Sequence, residues 1–445
     1  MEKQGRSLNY FDLTMIVVGL VIGMGIFRTP VEVAKLSGTV DVFFLAWFLG
    51  GVIALAGALT YAEIGSRYPV VGAYYKIFST SYHPSVAFSI NCIILVSNAA
   101  SVAAVALMGA EYIANVTFET AQNTVTMRMW IAGICVVLFY GLNLLGLKTS
   151  TFVQNALVIF KIGLMLVIMS AVFFASGDNG TLVNTTPNSQ SWLDALYALG
   201  VCSVAVSFTY GGYQHSINFG TEVKNANSIM PKSIAMGIGI VLLLYMLINY
   251  AYIQVIGFSE LGKAESIGAI MVSKIFGQSG YQLVSWLFFF SVLGYVNVML
   301  LTNPRVMYAM SEEGTMPAAF GTVNKKTEVM TVALSVFTIT TIFTLFFAKE
   351  FEMILDYIIF LDSIGMATSA ATLFYFRSKN VVPEGKKIYK VPLYPLTPIF
   401  YILAYMLIAV SVFVKNPTAA LNGILIFVIF IAIYWIVYFI KVRAK

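Results

Sequence analysis

Twelve apolar stretches, each close to the roughly 20 residues that an α-helix needs to cross a bilayer, follow one another along this 445-residue chain. They run from about 11 to 32, 42 to 62, 86 to 112, 127 to 146, 152 to 176, 193 to 220, 231 to 257, 281 to 308, 329 to 347, 352 to 376, 396 to 414 and 418 to 440. Hydrocarbon offers no partner to a backbone amide or carbonyl, so stretches of this length must satisfy their own hydrogen bonds as helices. The expectation is an all-α integral membrane protein of 12 transmembrane helices in one domain. With 59% apolar and only 10% charged residues, against about 25% charged in an average soluble domain, the whole chain belongs in the bilayer. The intervening stretches near 177 to 191, 258 to 280, 309 to 328 and 377 to 395 read as polar or Gly/Pro-punctuated connectors.

Charge gives the orientation. Of the 26 Lys and Arg residues, 18 fall on the side of the N-terminus and 7 on the other, with Lys161 alone inside a span. The positive-inside rule then predicts both termini in the cytoplasm of a multi-pass protein. The net charge of +6 is this asymmetry, and no nucleic-acid partner is expected. Lys3 and Arg6 precede a run of full membrane length with no A-x-A site, so the first span is expected to stay in the mature protein. Cys92, Cys135 and Cys202 all lie in apolar stretches and offer no disulfide framework.

Two of the spans are broken by glycine at matching places, Ile22-Gly23-Met24-Gly25-Ile26-Phe27 in the first and Phe208-Thr209-Tyr210-Gly211-Gly212-Tyr213 in the sixth. Each break is followed by a proline, Pro30 and Pro231, and five spans separate the two starts. An odd number of spans per half inserts the halves with opposite orientation. The pattern predicts an inverted repeat of five plus five, 11 to 176 and 193 to 376, with two additional helices over 396 to 440 and discontinuous helices 1 and 6.

An opened helix in a membrane persists only where protein, water or ligand satisfies the freed groups. A half-helix beginning near Ile26 presents free amides and the positive end of its dipole, suited to a carboxylate. A half-helix ending around Phe208 to Tyr210 presents carbonyls and the negative end, suited to an ammonium. Ile22, Gly23, Met24, Gly25 and Ile26 with Phe208, Thr209, Tyr210 and Gly211 are therefore the candidate binding residues for a zwitterion, an amino acid. Phe208 is bulky enough to act as a gate over it. Close helix packing through small residues is the competing account of Gly23 and Gly25, and lipid or core packing that of Phe208 and Tyr210.

Lys161 sits deep in the fifth span, where a cation is expensive unless it faces a cavity or carbonyls. A fixed ammonium near the first break can satisfy freed carbonyls as a bound sodium ion would. Ser97, Asn98 and Ser101 in span three, Tyr295 and Asn297 in span eight, and Asp362 in span ten are cavity or coupling candidates, and equally serve as interhelical glue or a hydrogen-bonded structural carboxylate. Glu63, Glu222 and Lys224, at helix ends on the inner side, read as solvated charges or inter-loop salt bridges. The two histidines, His83 and His215, form no metal-ligand spacing, and the chain has no nucleotide loop or nucleophile elbow. Neither an enzyme, a bound metal nor a cofactor is expected.

Four motifs in order resemble the amino acid–polyamine–organocation superfamily, and within it the L-amino-acid transporters and bacterial serine/threonine exchangers. They are Gly19 through Phe27 with Pro30; Tyr61-Ala62-Glu63-Ile64-Gly65 with Pro69 and Gly72-Ala73-Tyr74-Tyr75; Phe208 through Tyr213 continuing to Glu222-Val223-Lys224-Asn225 and Pro231; and Asn303-Pro304-Arg305 through Met316-Pro317. The resemblance covers nearly the whole chain. It implies the inverted-repeat fold of the sodium-coupled leucine transporter, carboxylate binding by Gly23 to Ile26, amine binding and an aromatic gate at Phe208 to Tyr210, and Lys161 as a stand-in for the sodium site. The chain departs from the family pattern over Tyr213-Gln214-His215, near which the family usually has a tryptophan, and Asp362 has no assigned counterpart. Animal members join a heavy chain through a cysteine after helix three. Residues 113 to 127 hold none, so no disulfide-linked partner is expected.

The combined expectation is a secondary amino acid transporter in a cell membrane, a bacterial cytoplasmic membrane, exchanging neutral L-amino acids without sodium by alternating access. A proton-coupled symporter is the alternative. A membrane sensor that binds amino acids without net transport is the reading from a different class.

Overall fold

The computed structural model describes residues 8–23, 25–118, 124–173, 192–264, 267–383 and 387–443. They form fifteen α-helices, beginning with α1 (Tyr10–Val21), α2 (Gly25–Ser37), α3 (Val40–Arg67), α4 (Ala73–Ser81) and α5 (Pro84–Thr117). Then come α6 (Val125–Leu144), α7 (Leu147–Ser170), α8 (Trp192–Tyr210), α9 (Ala226–Ile256) and α10 (Phe258–Leu261). The last five are α11 (Ile267–Glu312), α12 (Thr331–Phe346), α13 (Ala348–Ser378), α14 (Leu396–Lys415) and α15 (Pro417–Arg443).

Among the described residues each of the twelve apolar stretches is mostly helical. Among the described residues nine helices are long and apolar enough to cross a membrane, or ten when α1 and α2, bent by 43° at their junction, count as one span. The surface agrees with such a setting: Leu421, Leu425, Ile436 and Ile440 along α15 are exposed, a face that only lipid or another apolar partner can cover.

Local chemistry sets the helix ends. Asn9 and Asp12 form a reciprocal capping box at the start of α1. Thr39 and Thr124 accept amide hydrogens at the starts of α3 and α6. Gly72 precedes α4 with φ 61° and lies so close to the Arg305 carbonyl that a side chain would collide with it.

Three expectations need correction. The stretch 258 to 280 is largely helical, as α10 and the first turns of the 46-residue α11, because Ile267 and Met271 recur at helical spacing and are buried. Of the two readings of Glu63 the salt bridge stands and the solvated charge does not: it is fully buried (0% exposed), bonded to Arg67 at 2.7 Å, to both Arg377 donors at 2.9 and 2.6 Å and to the Val391 amide at 2.7 Å. Two guanidinium groups and an amide offset the desolvation of its charge. Tyr210, expected beside Phe208 at the second break, turns its ring into the core between Trp47 and Tyr245.

The face of the bundle that carries Leu8 is tightly joined. The Leu8 amide donates to the Glu222 carbonyl at 2.6 Å and the Lys224 amide to the Leu8 carbonyl at 3.2 Å. Arg305 of α11 grips the Glu222 carboxylate with two donors at 2.8 and 2.9 Å and lies 4.3 Å above the Phe219 ring. Asp12 of α1 accepts from Asn155 of α7 at 2.7 Å. The three cysteines are buried and free.

Candidate substrate site between two helix breaks

The first break opens where α1 stops at Val21. The Ile22 amide still donates back to Val18 at 2.8 Å, but Ile22 itself has left helical geometry (ψ 87°), so its carbonyl points out of the ladder. Lys161, 1% exposed on α7, donates its ammonium to that carbonyl. Gly23 closes a tight turn onto Val21 at 2.8 Å. Gly25 starts α2 and Ile26 is buried, so the amides of this first turn have no partner within the helix. Met24 lies outside the described residues.

At the second break α8 ends at Tyr210, and a 3-10 turn over Tyr213–Asn218 follows. The Gly211 amide returns to Phe208 at 3.2 Å, and Gly212 takes φ 110° with its amide on Gln214 at 2.9 Å. A side chain at Gly212 would strike the Leu20 carbonyl, so only glycine lets the two interruptions approach this closely.

The breaks touch through three further residues. A Cβ at Gly25 would lie 2.9 Å from Thr209 Cγ2, and the Thr209 hydroxyl donates to Thr29 at 2.9 Å. The Tyr245 hydroxyl on α9 stands 3.2 Å from the Val21 carbonyl and 3.3 Å from the Thr209 carbonyl, sharing one proton between the ends of α1 and α8. Tyr295 on α11 closes another side, its ring 3.6 Å from where a Gly23 Cβ would stand. Phe208 is 59% exposed and covers nothing in this conformation.

The other candidates divide. Ser101 neighbours the Tyr295 hydroxyl and so belongs to the surroundings of the first break. Asn98 pairs with Asn303 at 2.7 Å, holding α5 to α11. Asn297 accepts from Asn143 at 2.9 Å and donates to Gln154 at 2.9 Å and the Ser150 carbonyl at 3.1 Å, a buried amide network that joins α6, α7 and α11. These two asparagines act as glue between helices. Ser97 is half-buried on α5. Asp362 is not at the breaks; it lines a cavity of about 280 Å³ between α4, α5, α13 and α15.

What this arrangement offers chemically is a helix N-terminus and a helix C-terminus facing one another across two glycine pairs, with one fixed ammonium beside them. The amino acid permease profile matches residues 8–443, almost the whole chain. The chain belongs to the amino acid permease family. This permease is a multi-pass membrane protein and, by that membership, an amino acid transporter rather than an enzyme. It is 27% identical over 430 residues to the serine/threonine exchanger SteT of Bacillus subtilis (strain 168), covering 96% of this chain and 95% of that one. It is also 27% identical over 438 residues to the human large neutral amino acids transporter small subunit 2, covering 94% of this permease and 79% of the relative. The human cystine/glutamate transporter is 24% identical over 417 residues, 92% of the permease and 80% of that protein.

Tyr245 is the residue here that the sequence did not single out. Tyr245→Phe removes the shared proton; the Val21 carbonyl keeps the Gly23 amide, and the Thr209 carbonyl loses its donor, at a cost of about 1–3 kcal/mol. The expected result is a folded permease with a lowered unfolding temperature in detergent and slower transport. An unfolding temperature equal to the wild type would show that the hydroxyl does not brace the breaks.

Proposed function

We propose that this permease exchanges neutral L-amino acids across the membrane without sodium, by alternating access. The substrate's carboxylate takes the amides at Gly23 to Ile26 and its ammonium the carbonyls at Phe208 to Gly211, and Phe208 closes over it. The observation that carries the reading is the Lys161 ammonium on the Ile22 carbonyl. A fixed cation there does the work of a mobile one, so the break needs no ion from solution. The names of the relatives, an exchanger and a neutral amino acid transporter among them, support the mode and the substrate class.

The reading includes twelve spans at the twelve apolar stretches, with α1 and α2 forming the first. Residues 11–176 and 193–376 are taken as inverted repeats, residues 396–440 as two added helices, and both termini as cytoplasmic. Purified protein in liposomes loaded with unlabelled L-serine, L-threonine or L-leucine should take up the labelled amino acid without sodium, and far more slowly when the lumen is empty. Uptake that requires sodium, or that ignores the internal amino acid, would reject the exchange mode. A complete lack of uptake across a broad panel would reject this site.

A further inference from the structure

The connection from α13 to α14 lies at a membrane face, because α14 begins at Leu396 and is itself long and apolar enough to cross. It carries Lys379, Lys386, Lys387 and Lys390 against a single acid, Glu384. Lys379, Lys387 and Lys390 are exposed, and among the described residues none of them has a carboxylate partner. Other cations at this end of the bundle are all engaged: Arg67 and Arg377 by Glu63, Arg305 by Glu222 and Lys76 by Glu312. Membrane orientation accounts for lysines in such a loop, but not for what the loop presents beside them.

Next to the lysines the chain turns an apolar edge outward. Leu393 is 77% exposed and Leu396 66%, Pro392 and Pro395 are exposed with them, and Ile399 and Phe400 continue the edge along the first turns of α14. Leu393 also takes φ 53°, a left-handed conformation that a leucine rarely adopts. It is locked there: its carbonyl accepts the amides of Leu396 at 2.7 Å and Thr397 at 3.3 Å, and the Thr397 hydroxyl donates to the Pro392 carbonyl at 2.6 Å. A strained backbone that holds a large apolar side chain away from the protein needs something outside to receive it.

The loop behind this edge is anchored. The Tyr389 amide donates to the Ser66 hydroxyl at 2.9 Å, the Val391 amide to Glu63 at 2.7 Å and Arg67 to the Val381 carbonyl at 3.2 Å. Arg377 lies 3.5 Å above the Tyr394 ring. Lysines and apolar edge are thus presented together from a fixed base on α3.

The chemistry selects the occupant. A phospholipid with an anionic headgroup offers phosphate oxygens to the lysines and acyl chains to the leucines at once. A free phosphate ester meets the lysines but leaves Leu393 and Leu396 in water. A zwitterionic lipid covers the leucines while its own cation repels the lysines.

We infer that residues 379–400 form a docking site for an anionic phospholipid in the leaflet at this face. Only the name of that leaflet, cytoplasmic, rests on the orientation proposed above. Lys379, Lys387 and Lys390 take the headgroup, and Leu393 and Leu396 the first part of the chains. Because Glu63 and Ser66 hold the same loop, a docked lipid ties the ends of α3, α13 and α14 together.

The test uses the full chain in an uncharged detergent, titrated with dioleoylphosphatidylglycerol or dioleoylphosphatidylcholine, with the unfolding temperature as the readout. The anionic lipid should raise that temperature to a plateau, and the zwitterionic one should not. About fivefold per lysine places the titration midpoint of the triple variant Lys379→Gln, Lys387→Gln, Lys390→Gln about a hundredfold higher. Raising the salt from about 0.1 to about 1 M shortens the screening length from about 10 to about 3 Å and should weaken the wild-type response likewise. Leu393→Asn keeps a residue that tolerates the left-handed conformation but removes the apolar contact. It should unfold at or above the wild-type temperature without lipid, yet need severalfold more lipid to respond. Equal responses to the two lipids, a triple variant or a Leu393→Asn chain that titrates like the wild type, or the same stabilisation by free glycerol 3-phosphate would each overturn the site. The salt and Leu393→Asn comparisons hold whether or not the triple variant folds. No transport is measured, so this result is separate from that of the exchange experiment.

Discussion

Lys161→Met is expected to leave a folded, membrane-inserted protein that exchanges amino acids at about one-hundredth of the wild-type rate or less. The side chain is buried on α7 and its ammonium is the partner of the Ile22 carbonyl at the first break. Methionine keeps most of the volume and fits an apolar surround, so packing is preserved while the hydrogen bond and the charge are lost. An unpaired carbonyl in a water-poor site costs about 1–3 kcal/mol, and the lost attraction to the negative end of α1 adds to it. Every 1.4 kcal/mol is about tenfold in the population of the working geometry, which gives the hundredfold figure. The check is the initial exchange rate at equal reconstituted protein, read beside an unfolding temperature. A rate within a factor of about two of wild type would remove Lys161 from the mechanism.

Gly25→Ala should be nearly as damaging, for a steric reason. The added methyl would stand 2.9 Å from Thr209 Cγ2 and 3.0 Å from its hydroxyl oxygen. Thr209 cannot simply rotate away, because that oxygen is held between Thr29 at 2.9 Å and the Ala205 carbonyl at 3.0 Å. The start of α2 must then shift off the end of α8, and overpacking of this kind costs about 1–3 kcal/mol. The expected fall in transport is roughly tenfold to hundredfold. Thr209→Ala removes the two atoms that are struck, so the double variant Gly25→Ala with Thr209→Ala should recover much of what the first change lost. A double variant no better than the single one would mean that Gly25 is needed for its backbone freedom and not for the space beside it.

The parts of the site that could be read from the residues in order are those whose signal is local. Gly23 and Gly25 interrupt an apolar run, Gly211 and Gly212 interrupt another, and Lys161 is a cation where hydropathy allows none. Each announces itself within a few positions. Tyr245 does not, since a tyrosine in the apolar run of α9 looks like packing, and the carbonyls it bridges belong to residues 224 and 36 positions away. Glu63 was legible as a charge near a helix end but not as a buried one, because Arg377, the second of its two guanidinium partners, is 314 residues further on. Asn98 and Asn297 look equally suited to a cavity or to a helix contact until their partners on other helices are known. The direction of a ring is likewise invisible in one dimension, so Phe208 and Tyr210, two residues apart, could not be told apart as exposed and buried.

The three cysteines add a practical consequence. All of them are buried and unpaired, so water-soluble thiol reagents find none of them in the folded chain. The natural sequence is therefore already a clean background for site-directed labelling. A single cysteine placed on an exposed position of α2 and another on α7 or α11 can carry spin labels or fluorophores, and distances across the two breaks can be followed through a transport cycle in an otherwise unaltered protein.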